Sequence, residues 1–304
     1  MFVINHKKIF LIFTLFYLAV AVTAVIVWGL KLSIDFTGGS VLEIRYEKTV
    51  VEKSFVEEKV KAIVPTGFFV VSLGVNGFSI QTPYIDEDQK EMILSSLTVN
   101  GEKPIDDKFN AIGPVVGEEL ARKAIIALIL VAVSIILFIA FAFRGVSQPV
   151  SSWMYGLIAV ITLFHDVLLP IGVFAFLGKF ANIEADVLFV SALLAIWSYS
   201  VSDTIVVFDR IRENLKIDKE QRGKKAFAEI VGQSLRETYA RSINTSLTIF
   251  LSLLSLYFLG GEVTKNFALV LIVGIIAGTY SSIFLASPLL VVWNSWQEKR
   301  KKNA

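Results

Sequence analysis

Apolar residues in this chain run in blocks, and charge falls between the blocks. Six blocks stand out, at about 9–29, 124–143, 153–177, 187–208, 242–259 and 267–293. A hydrocarbon layer about 30 Å thick is crossed by roughly 20 helical residues, so each block is long enough to span a bilayer. Each must be helical, because lipid offers no partner to an open backbone. The first block follows Lys7 and Lys8 and contains Ala19-Val20-Ala21, which imitates a signal-peptide cleavage site. That tripeptide lies mid-block, however, and the apolar run continues to Trp28. The block therefore reads as a retained span, with Trp28 at its outer interface.

The segment between the first two blocks has a different rhythm. Residues 41–46 (VLEIRY) alternate with the period of a strand, and 51–64 carry helical spacing. Residues 68–73 and 78–82 read as a hairpin through Gly74-Val75-Asn76-Gly77. A second helix over 86–97 and a last strand over 108–116 complete a β-α-β-β-α-β order, the ferredoxin-like arrangement. The expected fold is a membrane all-α bundle of six transmembrane helices with a small extracytoplasmic α+β (ferredoxin-like) domain. Its parts are residues 1–30, the first helix with a cytoplasmic N-terminus; 31–123, the extracytoplasmic domain; and 124–304, a five-helix membrane domain with a cytoplasmic C-terminus.

Charge gives the orientation. Placing both termini in the cytoplasm puts Lys7, Lys8, Arg144, the many basic residues of 209–241 and the run 299–302 inside. The two short outer loops then hold only Lys179 and Lys265. This satisfies the positive-inside bias, and a segment as long as 31–123 crosses largely regardless of its charge. The chain is thus expected to be multi-pass in the cell (inner) membrane.

Composition agrees: 55% of the 304 residues are hydrophobic, with mean hydropathy +0.67. The absence of cysteine excludes disulfides and thiol chemistry, and two histidines make a zinc site improbable. A net charge of +2 gives no reason to expect a nucleic-acid partner. There is no G-x-x-x-x-G-K-[ST], G-x-S-x-G or H-E-x-x-H. No enzyme, metal or cofactor is expected.

Polar residues inside the spans carry the remaining chemistry. Asp203 lies about 10 Å outward of Arg210 at helical rise, in the inner half of the bilayer. A carboxylate there is costly; it pairs, takes up a proton, or anchors neighbouring helices. Arg241 opens the fifth span, and Asn244 (with Thr245), Thr248, Ser252 and Ser255 continue from it as a polar stripe. Such a stripe suits protein or water better than lipid. Arg241 reads either as a partner of Asp203 or as an interfacial anchor. His165 and Asp166 lie mid-span, with Pro170 one turn on, and suit either a proton relay or a helix contact. Gly274 and Gly278 form a G-x-x-x-G packing step near Ser281 and Ser282.

Three runs carry a family resemblance. Asp35-Phe36-Thr37-Gly38-Gly39 follows the first span and Gly113-Pro114-Val115-Val116-Gly117 precedes the second. The stretch from Ser202-Asp203-Thr204 through Asp209-Arg210 to Asn214 closes the fourth. Over nearly the whole chain the sequence resembles the SecF family, subunits of the auxiliary SecDF complex of bacterial and archaeal protein export. The resemblance implies a proton-coupled accessory subunit that assists preprotein translocation after the ATP-driven step. It implies a SecD-like six-span paralogue, the Sec translocon and a translocating preprotein as partners, and the proton gradient as energy source in place of a cofactor. It assigns a proton relay to Asp203 and Arg241, with Ser202 standing where the family usually has Asn, and Ser198 where it usually has Gly. The alternative is half of a proton-driven small-molecule exporter of the resistance-nodulation-division type. A pure scaffold would leave the intramembrane charges without a role.

Overall fold

The computed structural model describes residues 2–142, 149–221, 223 and 225–302. Phe143 and Arg144, used above to end the second span and to orient it, lie outside the described residues. The chain divides into two compact units, one comprising Met1–Lys31 with Ala127–Ala304, the other Leu32–Ile126.

The larger unit is helical. A short turn, α1 (Phe2–Asn5), precedes α2 (Lys7–Trp28). In the smaller unit follow α3 (Ile34–Thr37), β1 (Gly39–Arg45), α4 (Lys53–Ile63), β2 (Phe69–Leu73), β3 (Gly77–Thr82), α5 (Glu87–Ser96) and β4 (Ile105–Ile112). The long helices are α6 (Pro114–Ala142), α7 (Ser152–Phe180), α8 (Val187–Glu220), α9 (Phe227–Leu259) and α10 (Glu262–Ser281). A π turn (Ser282–Ala286) joins α10 to α11 (Ser287–Lys302). Among the described residues, six helical stretches are long and apolar enough to cross a membrane, the sixth running through α10, the π turn and α11.

The helices are unequally buried. The most apolar windows of α7, α8 and the sixth stretch are about half buried, at 56%, 50% and 56%, whereas α2 and α9 are 17% and α6 only 6% buried. The first group is the core of the bundle; the second offers its surface to lipid or to another chain. Core contacts include Phe174 against Phe189 and Tyr155 edge-on to Phe208. Two close crossings depend on small residues. Gly172 of α7 lies against Ala21 of α2, and Gly274 of α10 lies against Ile196 of α8.

Helices α8 and α9 outrun their apolar blocks. Past Phe208 the chain turns charged but keeps its helical hydrogen bonds, because water tolerates the charges that lipid does not. The two extensions are clasped by side chains. Arg210 donates to Glu237 and Glu213, each at 2.6 Å, and Asn214 donates to Ser234 at 2.9 Å and to Glu237 at 2.8 Å.

The smaller unit is a four-stranded antiparallel sheet, order β2-β3-β1-β4, covered on one face by α4 and α5. This is the ferredoxin-like order expected from the alternation. Leu42 pairs with Ile80 and Ile44 with Phe78, and these side chains pack with Val56, Val60, Ile93 and Leu97. Asp86 and Gln89 close a capping box at the start of α5. One expectation fails: the last strand ends at Ile112, not 116. Pro114 has no N–H for a ladder, and its fixed φ suits the first turn of a helix, so it opens α6.

Candidate functional site

Two buried carboxylates sit in the membrane unit, each held by serine hydroxyls from other helices. Asp203, on α8, is 8% exposed. Ser242 of α9 donates to its Oδ1 at 2.7 Å, and Ser282, the first residue of the π turn, donates to its Oδ2. No ion pair reaches Asp203 among the described residues. Asp166, on α7, is fully buried. Its Oδ2 accepts from Ser200 of α8 and, at 2.9 Å, from Ser281 of α10. Its Oδ1 lies 2.8 Å from His165 Nδ1, and His165 Nε2 shares a hydrogen bond with the Tyr17 hydroxyl of α2.

Local sequence explains this convergence. Ser281 and Ser282 are neighbours, and successive helical residues point about 100° apart, so one serine reaches α7 and the other α8. Gly278 lets them come close: its missing side chain faces Ser200, and a Cβ added there would lie only 3.3 Å from Ser200 Cβ. On α7, Pro170 has no N–H to offer the backbone carbonyl of Asp166 one turn back, so that one helical hydrogen bond is missing beside the site. A second layer of hydroxyls adjoins the site. Tyr199 and Thr279 both reach Ser246 Oγ at 2.6 Å, and Ser246 donates to the carbonyl of Ser242 at 2.7 Å.

Of the two readings of Arg241, partner of Asp203 or interfacial anchor, the structure shows no contact between Arg241 and Asp203. Ser242 takes the face of α9 that meets Asp203, which turns Arg241 away into an exposed cleft of about 420 Å³ lined by Asp209, Glu213 and Glu237. Ser202 is exposed and is not brought to Asp203, for the same reason of helical phase. Asn244 and Thr245 are exposed too, as are Thr248, Ser252 and Ser255, so the polar stripe looks out from the bundle. His165 and Asp166 do meet each other and three further helices, α2, α8 and α10. Sequence reasoning misses the serines 200, 242, 281 and 282 and Tyr17 as site residues; only Ser281 and Ser282 carry a signal, their place just after the glycine step.

The glycine runs make a separate, structural constellation in the smaller unit. Ser33 caps α3 by accepting from the backbone N–H of Asp35. Gly38 and Gly39 have φ of 71° and 131°, in the region that favours glycine. A side chain at Gly38 would sit 2.8 Å from Pro114 Cα, and one at Gly117 would sit 2.6 Å from Gly38 N. Gly113 accepts from the N–H of Gly117 at 3.0 Å. These residues let β1 and the start of α6 pass at backbone contact.

Comparison with known proteins matches residues 93–296 to the family model described as protein export membrane protein SecD/SecF, C-terminal, and residues 26–50 to the SecD/SecF GG motif. The protein translocase subunit SecF of Thermobaculum terrenum is 40% identical, over 96% of this chain and 94% of that protein. SecF of Sebaldella termitidis is 36% identical, over 98% and 94%. The crystal structure of SecDF from Thermus thermophilus, described as a translocon-associated membrane protein, superposes with a TM-score of 0.80 at 32% identity, over 96% of this chain and 38% of that one.

Proposed function

Because the chain belongs to the SecF family of protein translocase subunits, we propose that it is a proton-coupled accessory subunit of the export machinery, in which Asp203 takes up and releases the driving proton. It assists preprotein movement after the ATP-driven step. It lies in the cell (inner) membrane with both termini in the cytoplasm and residues 31–123 outside, the orientation that puts most basic residues inside.

The observation that carries the reading is the setting of Asp203: buried in the membrane unit and, among the described residues, bonded by hydroxyls alone. A hydroxyl can donate to a carboxylate or accept from a carboxylic acid, so the site accommodates both protonation states without rebuilding. A fixed cation would have locked it in one. Arg241, exposed beside acidic residues in this conformation, acts when the helices move and it approaches Asp203. That approach favours the ionised form and releases the proton inward.

The SecD-like paralogue is the second six-span chain. The outward polar stripe of α9 and the nearly bare α6 support it, since hydroxyls and an amide on a lipid-facing helix gain from a polar neighbour. The translocon and the preprotein complete the set of partners. Named relatives are translocase subunits, which speaks against the small-molecule exporter.

The test is Asp203→Asn, which keeps shape but cannot titrate. At normal abundance it should reduce export of a secreted reporter to the rate seen when the proton gradient is collapsed. Arg241→Met should do the same, and Arg241→Lys tests whether charge without the planar fork suffices. A wild-type export rate for Asp203→Asn under a proton gradient would make Asp203 a structural anchor.

A further inference from the structure

We propose that Asp166, His165 and Tyr17 form a second proton-binding site in the membrane unit, coupled to Asp203 through the adjacent hydroxyls of Ser281 and Ser282. Counting hydrogens motivates the site. Asp166 Oδ2 accepts two serine hydroxyls, as an ionised carboxylate does. Oδ1 then needs the proton on His165 Nδ1, which leaves Nε2 of a neutral imidazole as acceptor for Tyr17. In that state the cluster carries one uncompensated negative charge in a fully buried place. A second proton on the Asp166–His165 dyad brings the charge to zero, and the Tyr17 hydroxyl reverses its donation to match.

The groups bonded to the dyad are Tyr17 from α2, Ser200 from α8 and Ser281 from α10; Tyr280 of α10 lies against the Tyr17 ring, and Asp203 of α8 is reached through the neighbouring Ser282. Tyr280 is engaged elsewhere, with Thr14 at 3.1 Å and the carbonyl of Phe10 at 3.2 Å. No lysine or arginine is bonded to the dyad among the described residues. Charge balance at this site therefore falls to protons.

Coupling arises because each of the two serines has one proton and two acceptors. Ser281 Oγ lies 2.9 Å from Asp166 Oδ2 and 3.1 Å from the carbonyl of Gly278. Ser282 Oγ bonds Asp203 Oδ2 and lies 3.1 Å from the carbonyl of Thr279. An ionised carboxylate holds the serine proton; a protonated one donates to the serine oxygen and sends the serine proton to the backbone. The two serines share a peptide bond where α10 becomes a π turn, a helix form of looser hydrogen bonding found often at functional sites. A change at one carboxyl is thus felt at the other within one residue of chain.

Proton binding here is separable from transport and rests on the reading of Asp203 only for its use. The full chain in phospholipid vesicles is titrated from alkaline to acid pH by infrared difference spectroscopy. Acidification should produce a buried carboxyl or imidazolium band that Asp166→Asn removes, distinct from the carboxyl band that Asp203→Asn removes. Asp166→Asn should also displace the midpoint of the Asp203 band from its wild-type position, as it must where two sites titrate as a pair. Ser281→Ala with Ser282→Ala should abolish that movement. If Asp166→Asn does not fold, His165→Gln keeps the carboxyl and should displace its band. Spectra of Asp166→Asn or His165→Gln identical to wild type overturn the site, and an unmoved Asp203 midpoint overturns the coupling. Normal export by Asp203→Asn alongside an intact Asp166 band would sink the transport reading and leave this one standing.

Discussion

A methyl group at Gly274 would collide with Ile196 Cδ1, and one at Gly172 would lie 2.5 Å from Ala21 Cβ. Both crossings are set by the absence of one carbon. Gly274→Ala should therefore force α10 off α8 and cost about 1–3 kcal/mol by overpacking, read as a lower melting temperature of the purified chain in detergent. Ser242→Ala leaves the packing alone and removes a donor from Asp203. It should leave abundance unchanged while reducing gradient-dependent export. The two carboxylates were legible in the sequence because a charge in an apolar run is costly and must be held by a partner or neutralised. Their serine partners were not. Hydroxyls in apolar helices commonly bond their own backbone one turn back, as Thr248 and Ser252 do, and nothing in the sequence separates those from Ser242 and Ser282.

Among the elements, the sheet was the most readable, because one face is buried and the other wet, so the period of two survives in the residues. Residues 38–118 expressed alone should unfold in one cooperative transition, and Ile93→Ala, at a fully buried position, should lower their stability by about 2–5 kcal/mol in a denaturant titration. Acid should weaken this unit in a defined window. Hydrogen bonds hold three carboxyls below their ordinary range: exposed Asp107 from Arg45, exposed Glu91 from Lys103, and half-buried Glu102 chiefly from Thr49. Groups depressed in the folded state stabilise it above their unfolded pKa, so stability should fall as pH drops from about 5 through their folded values. At the alkaline end, burial pushes the Tyr46 hydroxyl up to about 12, where it donates to the carbonyl of Leu97 at 2.6 Å. That contribution is present below pH 10 and should be lost as pH rises towards 12. The helix ends were less readable. Hydrophobicity marks where lipid stops, not where a helix does, and α8 and α9 run on into water as a clasped pair.

At the scale of the whole molecule, the chain has no cysteine, so single cysteines can report its topology without background. Val75→Cys, 84% exposed in the β2–β3 hairpin, should react with a membrane-impermeant maleimide on intact cells. Lys219→Cys, exposed at the end of α8, should react only after permeabilisation. The opposite pattern would invert the proposed orientation. The strand order has a further consequence, in time. β1 is the first strand made, yet it lies between β3 and β4, and β4 is the last. At the usual 5–20 residues per second, ribosomes take roughly 4–15 seconds to pass from Gly39 to Ile112. For all of that interval β1 keeps an open edge rich in Val, Leu and Ile, and the sheet cannot close. A nascent chain stopped at Lys103 should accordingly remain sensitive to protease, and release from that sensitivity should come abruptly once Ile112 has emerged.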